Sequence, residues 1–128
     1  MTSSQESALV LGIDIGTSGV RAVLMNSKFD VVAQSSSLMS DFGPNHRSPV
    51  VWWKSLESAL EQLRIEASEQ WSQVVGISVD GTSGTMLALN NEFEPIGDAL
   101  MYNDPVENPD ALEQIRQHAP RESAAHGA

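Results

Sequence analysis

The chain has 128 residues, of which 41 % are hydrophobic and 19 % charged, and this composition is typical of one globular domain with a hydrophobic core. It contains no cysteine, which excludes disulfides, thiolate metal sites and thiol nucleophiles and fits a cytoplasmic protein. Its longest apolar run is too short to cross a bilayer. The net charge of −10 arises between Arg64 and Arg116, where no Lys or Arg occurs, so a nucleic-acid partner is excluded.

Three strands connected by short turns are predicted in the first third of the chain. Residues 1–8 are polar at their start and are expected to form a disordered tail before a domain over residues 9–128. Residues 9–15 have apolar side chains on both alternating sets, which predicts a strand covered on both faces. Residues 20–25 form the second predicted strand and residues 31–34 begin a third, so we expect an antiparallel meander.

A long amphipathic helix follows. Ser48 and Pro49 have the pattern of a helix cap and first residue, and the helix should run to about residue 70. Its apolar face is predicted to contain Trp52, Leu56, Ala59, Leu60, Leu63 and Ala67. The neighbouring pair Trp52 and Trp53 fits either core packing or a ligand platform.

The second half is expected to add strands and a helix. Strands are predicted over residues 74–80, 85–89 and 99–102, separated by turns. A second helix should open at Asn108 and continue through residue 118. This order of elements predicts an α/β fold, a mixed sheet covered by helices.

One tetrapeptide, Gly-Thr-Ser-Gly, occurs at residues 16–19 and again at residues 81–84. Each copy follows a predicted strand and lies just behind an aspartate, Asp14 or Asp80. Such a turn is either an ordinary hairpin connection or a cradle in which backbone N–H groups and hydroxyls bind a phosphate or a sugar. Its recurrence after two buried strands favours the binding role.

The segments around these turns resemble one enzyme family. Residues 12–21, Gly-Ile-Asp-Ile-Gly-Thr-Ser-Gly-Val-Arg, resemble the first phosphate motif of the sugar kinase, hexokinase, Hsp70 and actin superfamily. Residues 75–85, followed by Pro-Ile-Gly at 95–97 and Ala-Leu-Met-Tyr-Asn-Asp at 99–104, resemble the N-terminal domain of FGGY carbohydrate kinases. The resemblance extends from about residue 9 to 118. It implies a ribonuclease H-like fold of the actin-like ATPase superfamily, present as a partial domain.

Asp-Gly-Thr-Ser-Gly-Thr at residues 80–85 also bears on the branch of the family. It is similar to the D-ribulose kinase-like branch rather than to the Asn-Gln-Arg-Glu segment of glycerol kinases or the Gln-Met-His-Gly segment of ordinary xylulose kinases. The implied substrate is therefore a ketopentose such as D-ribulose or D-xylulose. Relatives often have a basic residue shortly after Tyr-Asn-Asp, where this chain has Pro105, Val106 and Glu107.

The resemblance implies a phosphate side and a sugar side of the site. Asp14 is expected near Mg²⁺ and near the sugar hydroxyl that is phosphorylated. Gly16, Thr17 and Ser18 match the turn that faces the γ-phosphate of ATP. Arg21 either approaches a phosphate or forms a surface ion pair.

On the sugar side, Asp80 and Ser83 match the loop that meets the ketose. Asn103 and Asp104 either line the cleft or cap the turn before the following proline. The three histidines lack the spacing of metal ligands and receive no role.

The implied reaction is in-line transfer of the ATP γ-phosphoryl group to a sugar hydroxyl, with ATP and Mg²⁺ as cofactors. The family's catalytic aspartate and its adenosine site match nothing here and are expected beyond residue 128, so no catalytic residue is assigned. We therefore expect an N-terminal piece of a longer enzyme that is inactive without its C-terminal half. The expected partners are a small sugar and ATP, with a homodimer possible in principle and no membrane involved. Two alternatives stay open: an ATP-hydrolysing module of the actin or Hsp70 class, and a non-catalytic sugar-binding relic.

Overall fold

The computed structural model describes residues 8–126, so the predicted tail lies almost wholly outside the described residues. Its elements are β1 (Leu9–Ile15), β2 (Gly19–Met25), β3 (Val31–Leu38), α1 (Pro49–Glu66), β4 (Val74–Gly81) and α2 (Pro109–His118). The four strands form one mixed sheet in the order β3-β2-β1-β4. The antiparallel meander β1-β2-β3 is confirmed, and β4 pairs with β1 in parallel. No helix within residues 8–126 is long and apolar enough to cross a membrane.

The hydrophobic core lies beneath α1, which packs on β2 and β3, and extends to one face of β1. Strand β1 alternates, with Leu9, Leu11 and Ile13 buried in this core. The opposite face has Val10, which is 45 % exposed, then Gly12 and Asp14. Coverage of β1 on both faces was therefore a wrong expectation for the described residues, because α1 lies on one side of the sheet only. Helix α2 buries none of its residues.

The predicted apolar face of α1 is confirmed in part. Ala59, Leu63 and Ala67 are buried as expected, whereas Trp52, Leu56 and Leu60 are only partly buried at the flank of the core. Val51 and Ser55, which were not predicted, complete the buried stripe at spacings of four. The small side chains of Ser55 and Ala59 let α1 approach β3 closely, which an apolar count does not detect.

Serine side chains connect α1 to β3 across the core. Ser35 Oγ donates to the Ala59 carbonyl at 2.6 Å, and Ser55 Oγ donates to the Ser37 carbonyl at 3.2 Å. These bonds satisfy hydroxyls that would otherwise be buried without partners. They help to explain why β3, predicted to begin at residues 31–34, continues through the serine-rich stretch to residue 38.

The ends of the helices follow local backbone chemistry. Ser48 is the cap position of α1, but its side chain accepts no capping bond from the described backbone. The helix ends at Glu66, before the predicted residue 70, because Ala67 leaves the helical region at φ −111°. Asn108 caps α2 as predicted, and its side chain accepts from the backbone N–H groups of Asp110 and Ala111.

The segment between β4 and α2 is irregular. The strands predicted over residues 85–89 and 99–102 are reduced to isolated antiparallel bridges, Met86 with Leu100 and Leu89 with Pro95. Two features interrupt the ladder: Pro95 lacks an N–H, and Gly97 has φ +77°. The predicted strands are therefore wrong, although the two segments do lie side by side.

Two turns of this fold are built identically. In residues 26–30, the Asn26 side-chain oxygen accepts from the N–H groups of Lys28 and Asp30, and Asn26 Nδ2 donates to the Asp30 carboxylate. In residues 90–94, Asn90 repeats each of these bonds with Glu92 and Glu94. The fourth residue of each turn is a phenylalanine in the left-handed region.

These two phenylalanines allow a direct test of backbone strain. Phe29 has φ +66° and Phe93 φ +63°, and they are 81 % and 84 % exposed, so their rings contribute little burial. Glycine at either position should be more stable than alanine by about 1 kcal/mol, because only the Cβ is penalised at positive φ. Urea unfolding of the Phe→Gly and Phe→Ala variants measures the difference. Equal stability of the two variants would show that the turn imposes no such penalty.

Candidate functional site

Strand register brings three charged side chains to neighbouring positions on the open face of the sheet. Asp14 of β1 lies opposite Arg21 of β2 and also pairs in register with Asp80 of β4. Directly paired residues project to the same face of a sheet, so the Asp14 carboxylate lies between a guanidinium and a second carboxylate. Both aspartates occur near the carboxyl ends of parallel strands, where α/β sheets bind ligands.

Arg21 forms the ion pair that was one of its two predicted roles. Its Nε and Nη2 atoms donate to Asp14 Oδ2 at 2.8 and 2.5 Å. The pair is well exposed, with 65 % of the Arg21 side chain and 42 % of the Asp14 side chain accessible. Both bonds use one oxygen, and Asp14 Oδ1 accepts no hydrogen bond from residues 8–126. The Arg21 guanidinium also lies beside the first loop, because a Cβ on Gly16 would come within 3.0 Å of its Nη2.

The first loop, residues 16–19, connects β1 to β2 as a tight turn. The Gly16 N–H donates to the Gly19 carbonyl at 2.9 Å, and the Ser18 carbonyl accepts from the Met39 N–H at 2.9 Å. Thr17 and Ser18 are exposed at the tip, and their hydroxyls have no hydrogen-bond partner in the described part of the chain. The loop thus presents two free hydroxyls beside the Arg21–Asp14 pair.

The second loop, residues 81–84, borders a cleft of about 280 Å³. The cleft is lined by residues from both loops and by two larger side chains. These are Ile15 and Gly16 where β1 ends, Asp80 to Thr82, Thr85, Trp52 and Met101. The hydroxyls of Thr82 and Thr85 are 2.6 Å apart and share a hydrogen bond. A second, larger concavity of about 710 Å³ lies on the open face of the sheet, and Asp14, Arg21 and Asp80 line it. Asp80 borders both spaces and connects the two loops of the site.

The remaining predicted sugar-side residues take different places. Ser83 and Asn103 are exposed, line neither concavity and form no side-chain hydrogen bond within the described residues. Asp104 is engaged in the structure, because its carboxylate binds the Arg47 guanidinium and accepts from the Met101 N–H at 2.8 Å. For Asp104 the structure therefore favours the turn-capping alternative.

Sequence reasoning missed several residues that line or support the site. Thr82, Thr85 and Met101 line the cleft, and Arg47 binds Asp104 across 57 positions of sequence. Thr82 lies within the repeated tetrapeptide and Thr85 directly follows it, and this spacing of three is a signal that could have found them. The tryptophan pair divides, since Trp52 lines the cleft and donates to the His46 carbonyl at 2.7 Å, whereas Trp53 is 62 % exposed.

Magnesium and phosphate both fit this donor set. No group of three or more His, Asp or Glu side chains within residues 8–126 could hold a metal alone. Mg²⁺ characteristically takes one or two protein carboxylates and completes its shell with water and phosphate oxygens. Asp14, with one unoccupied oxygen and Asp80 as its strand neighbour, is the residue that would hold it. The exposed hydroxyls and nearby guanidinium suit an anion.

Comparison with known proteins decides the family. Residues 9–122 match the FGGY family of carbohydrate kinases, N-terminal domain. The chain belongs to this family. Among FGGY relatives, the xylulose kinase of Lactococcus lactis is 31 % identical over 99 residues, covering 74 % of this chain and 20 % of the relative. The Escherichia coli xylulose kinase is 30 % identical over 101 residues, covering 75 % and 20 %.

Solved structures of similar proteins confirm the fold class. The "xyloylose kinase" of Brucella ovis has a TM-score of 0.72 and 27 % identity, covering 85 % of this chain and 24 % of that one. The xylulose kinase of Rhodospirillum rubrum has the same TM-score at 24 % identity, covering 87 % and 23 %. The predicted actin-like ATPase fold is confirmed. The chain spans about a fifth of the length of the curated relatives it matches.

The two glycines that bound the first loop should respond differently to alanine. A Cβ on Gly19 would lie 2.7 Å from the Ser37 carbonyl oxygen, which belongs to the backbone of β3. A Cβ on Gly16 would meet mainly the flexible end of Arg21. Gly19→Ala should therefore cost about 2 kcal/mol of unfolding free energy and Gly16→Ala clearly less. Urea titration of both variants measures this order, and a reversed order would contradict the packing.

The Asp104 carboxylate provides a pH test. The hydrogen bond from Arg47, followed by that from the Met101 N–H, lowers the pKa of Asp104 below its ordinary value of 3.8. A lowered pKa in the folded state means that the contribution to stability is present above the unfolded value and is lost as the pH falls through the folded one. NMR titration should find the pKa of Asp104 below 3.8, and it should return toward that value in Arg47→Met. An unchanged pKa in the variant would exclude the pair in solution.

Proposed function

We propose that this chain is the N-terminal part of an ATP-dependent pentulose kinase, which transfers the γ-phosphoryl group of ATP to a hydroxyl of D-xylulose, D-ribulose or a similar ketopentose. The register that places Asp14 between Arg21 and Asp80, at the junction of two Gly-Thr-Ser-Gly loops, is the single observation that carries the proposal. The xylulose kinases among the relatives support the sugar class.

On the phosphate side, the chain contributes fixed donors beside a charged pair. In the transfer, a bond forms from the sugar oxygen to the γ-phosphorus while the bond to the leaving ADP oxygen breaks, and the hydroxyl proton goes to a base. Thr17 and Ser18 offer free hydroxyls, and the Arg21 guanidinium lies beside Gly16, where negative charge would be neutralised. Bound Mg²⁺ would supply further charge neutralisation, with Asp14 as its protein ligand.

On the sugar side, the cleft between the two loops offers both polar and apolar contacts. Asp80 and the Thr82–Thr85 hydroxyl pair offer hydrogen-bonding groups, and Trp52 and Met101 offer apolar surface for the carbon backbone of a sugar. Its volume of about 280 Å³ leaves room for a small sugar. Ser83 and Asn103 stay proposed as sugar contacts, although they line neither concavity and are exposed.

The proposal includes the rest of the enzyme. The catalytic base and the adenosine site are proposed to lie beyond residue 128, so residues 1–128 should bind weakly and turn over nothing by themselves. The complete enzyme is proposed to work in the cytoplasm on a free sugar and ATP with Mg²⁺. A second copy of the chain is the proposed macromolecular partner.

Sugar-dependent ADP formation by the complete protein tests this function. We expect turnover with D-xylulose or D-ribulose and little with glycerol. Asp14→Asn should lower kcat about 100-fold and raise the Mg²⁺ concentration needed, because the carboxylate that would hold the ion is neutralised.

Glu69→Gln is the matched control, because it also removes one exposed carboxylate. Glu69 follows the C-terminal end of α1, whereas Trp52 of the cleft is near the N-terminal end, so kcat should be unchanged. Preference for glycerol would contradict the pentulose assignment. ATP hydrolysis that needs no sugar would favour the actin or Hsp70 class, and sugar binding without turnover would favour a non-catalytic relic. Turnover by residues 1–128 alone would contradict the placement of the base.

A further inference from the structure

A set of polar contacts, here called the Arg47 clasp, joins the loop before α1 to residues 98–104. Arg47 donates through Nε to Asp104 Oδ2 at 3.2 Å and through Nη2 to Oδ1. Asn45 Nδ2 donates to the Asp98 carboxylate at 2.8 Å. The Arg47 carbonyl accepts from the Ala99 N–H at 2.9 Å. The clasp therefore fixes the start, the backbone and the end of residues 98–104.

The held segment in turn contacts the second Gly-Thr-Ser-Gly loop. Leu100 exchanges both backbone hydrogen bonds with Met86, each at 2.9 Å. Thr85 Oγ1 donates to the Met101 sulfur at 3.9 Å. A Cβ on Gly84 would lie 3.1 Å from the Tyr102 Cβ, so loop and segment are in close contact. Displacement of residues 98–104 would therefore move one wall of the cleft.

Little else fixes this part of the chain. Between residues 82 and 107 only Ala99 is buried, and the backbone forms isolated bridges instead of a ladder. A segment with so few apolar contacts opens easily unless polar contacts hold it. Residues 65–115 contain no Lys or Arg, so the positive charge that binds the Asp104 carboxylate comes from Arg47, outside the segment. The two-pronged geometry of a guanidinium on a carboxylate sets orientation as well as distance.

We propose that Arg47 is a positioning residue, which acts through Asp104 and residues 98–104 to hold the loop of residues 81–85 in place for the sugar. The sugar part rests on the proposed function, whereas the holding of the loop does not. Arg47 lines neither concavity of the site, so its effect is on the shape of the cleft. Its loss should weaken sugar binding more than the transfer step.

The test compares Arg47→Met with Arg64→Met in the complete protein. Arg64 binds Glu61 with the same two-pronged geometry, at 2.8 and 2.6 Å, and its side chain is 51 % accessible against 49 % for Arg47. Its partner is three residues away on the same helix, so it holds no distant segment. The two arginines thus match in charge, in side-chain exposure and in bond type. They differ in that only Arg47 connects two segments that are distant in sequence.

Hydrogen exchange is the readout that needs no activity. In Arg47→Met the amides of Met86, Ala99 and Leu100 should exchange about tenfold faster, and in Arg64→Met they should not change. Acceleration at Ala99 without any at Met86 and Leu100 would overturn the proposal, because the clasp would then not support the loop.

Kinetics gives the second readout. Arg47→Met should raise KM for the pentulose about fivefold with kcat within about twofold, and Arg47→Lys should recover part of the loss. A fall in kcat at unchanged KM would overturn the positioning role, since it would place Arg47 at the reacting atoms. If the unmodified protein phosphorylates no sugar, the proposed function is wrong. Hydrogen exchange at Met86 and Leu100 would still decide whether Arg47 holds the loop.

Discussion

Strand β1 has neighbours of opposite direction on its two sides, and its register with both determines where charge lies in the site. The antiparallel pairing with β2 places Arg21 opposite Asp14, and the parallel pairing with β4 places Asp80 there as well. Two carboxylates side by side on one face would repel each other, and the guanidinium on the third strand offsets that repulsion. A slip of β4 by one residue would turn Asp80 to the other face of the sheet. The site therefore depends on backbone pairing before it depends on any side-chain contact.

The two halves of the chain are stabilised by different means. The meander and α1 enclose a continuous apolar core, and even the buried serines between them are hydrogen-bonded. The segment between β4 and α2 contributes a single fully buried residue, Ala99, and is held by charged and polar contacts at its surface. Apolar packing thus supports the first loop, whereas polar contacts support the segment beside the second loop. Substitution of a single polar residue should therefore disturb the second loop more readily than the first.

Local signals predicted much of this structure. Short apolar runs bounded by turns identified the strands of the sheet, and the Asn108 cap identified α2, because each of these depends on neighbours in sequence. The family was evident because its motifs lie on short contiguous segments. What depends on distant partners was missed: Ser55 is buried because a β3 carbonyl needs its hydroxyl, and Arg47 finds its carboxylate 57 positions away. The strands expected after β4 failed because Pro95 and Gly97 interrupt a ladder that hydropathy alone would continue.

The sheet also has a consequence for the order of assembly. The pairs β1-β2 and β2-β3 are closed by short turns, whereas β4 must find β1 across a long excursion, so that Leu9 meets Val74, 65 positions later. Loop-closure entropy makes such a contact slower to form than a hairpin. The meander with α1 can consolidate first, and β4 then adds to a preformed edge. We therefore expect Asp14 and Asp80 to become neighbours after the meander has formed, so the proximity of these two carboxylates would report that β4 has joined the sheet.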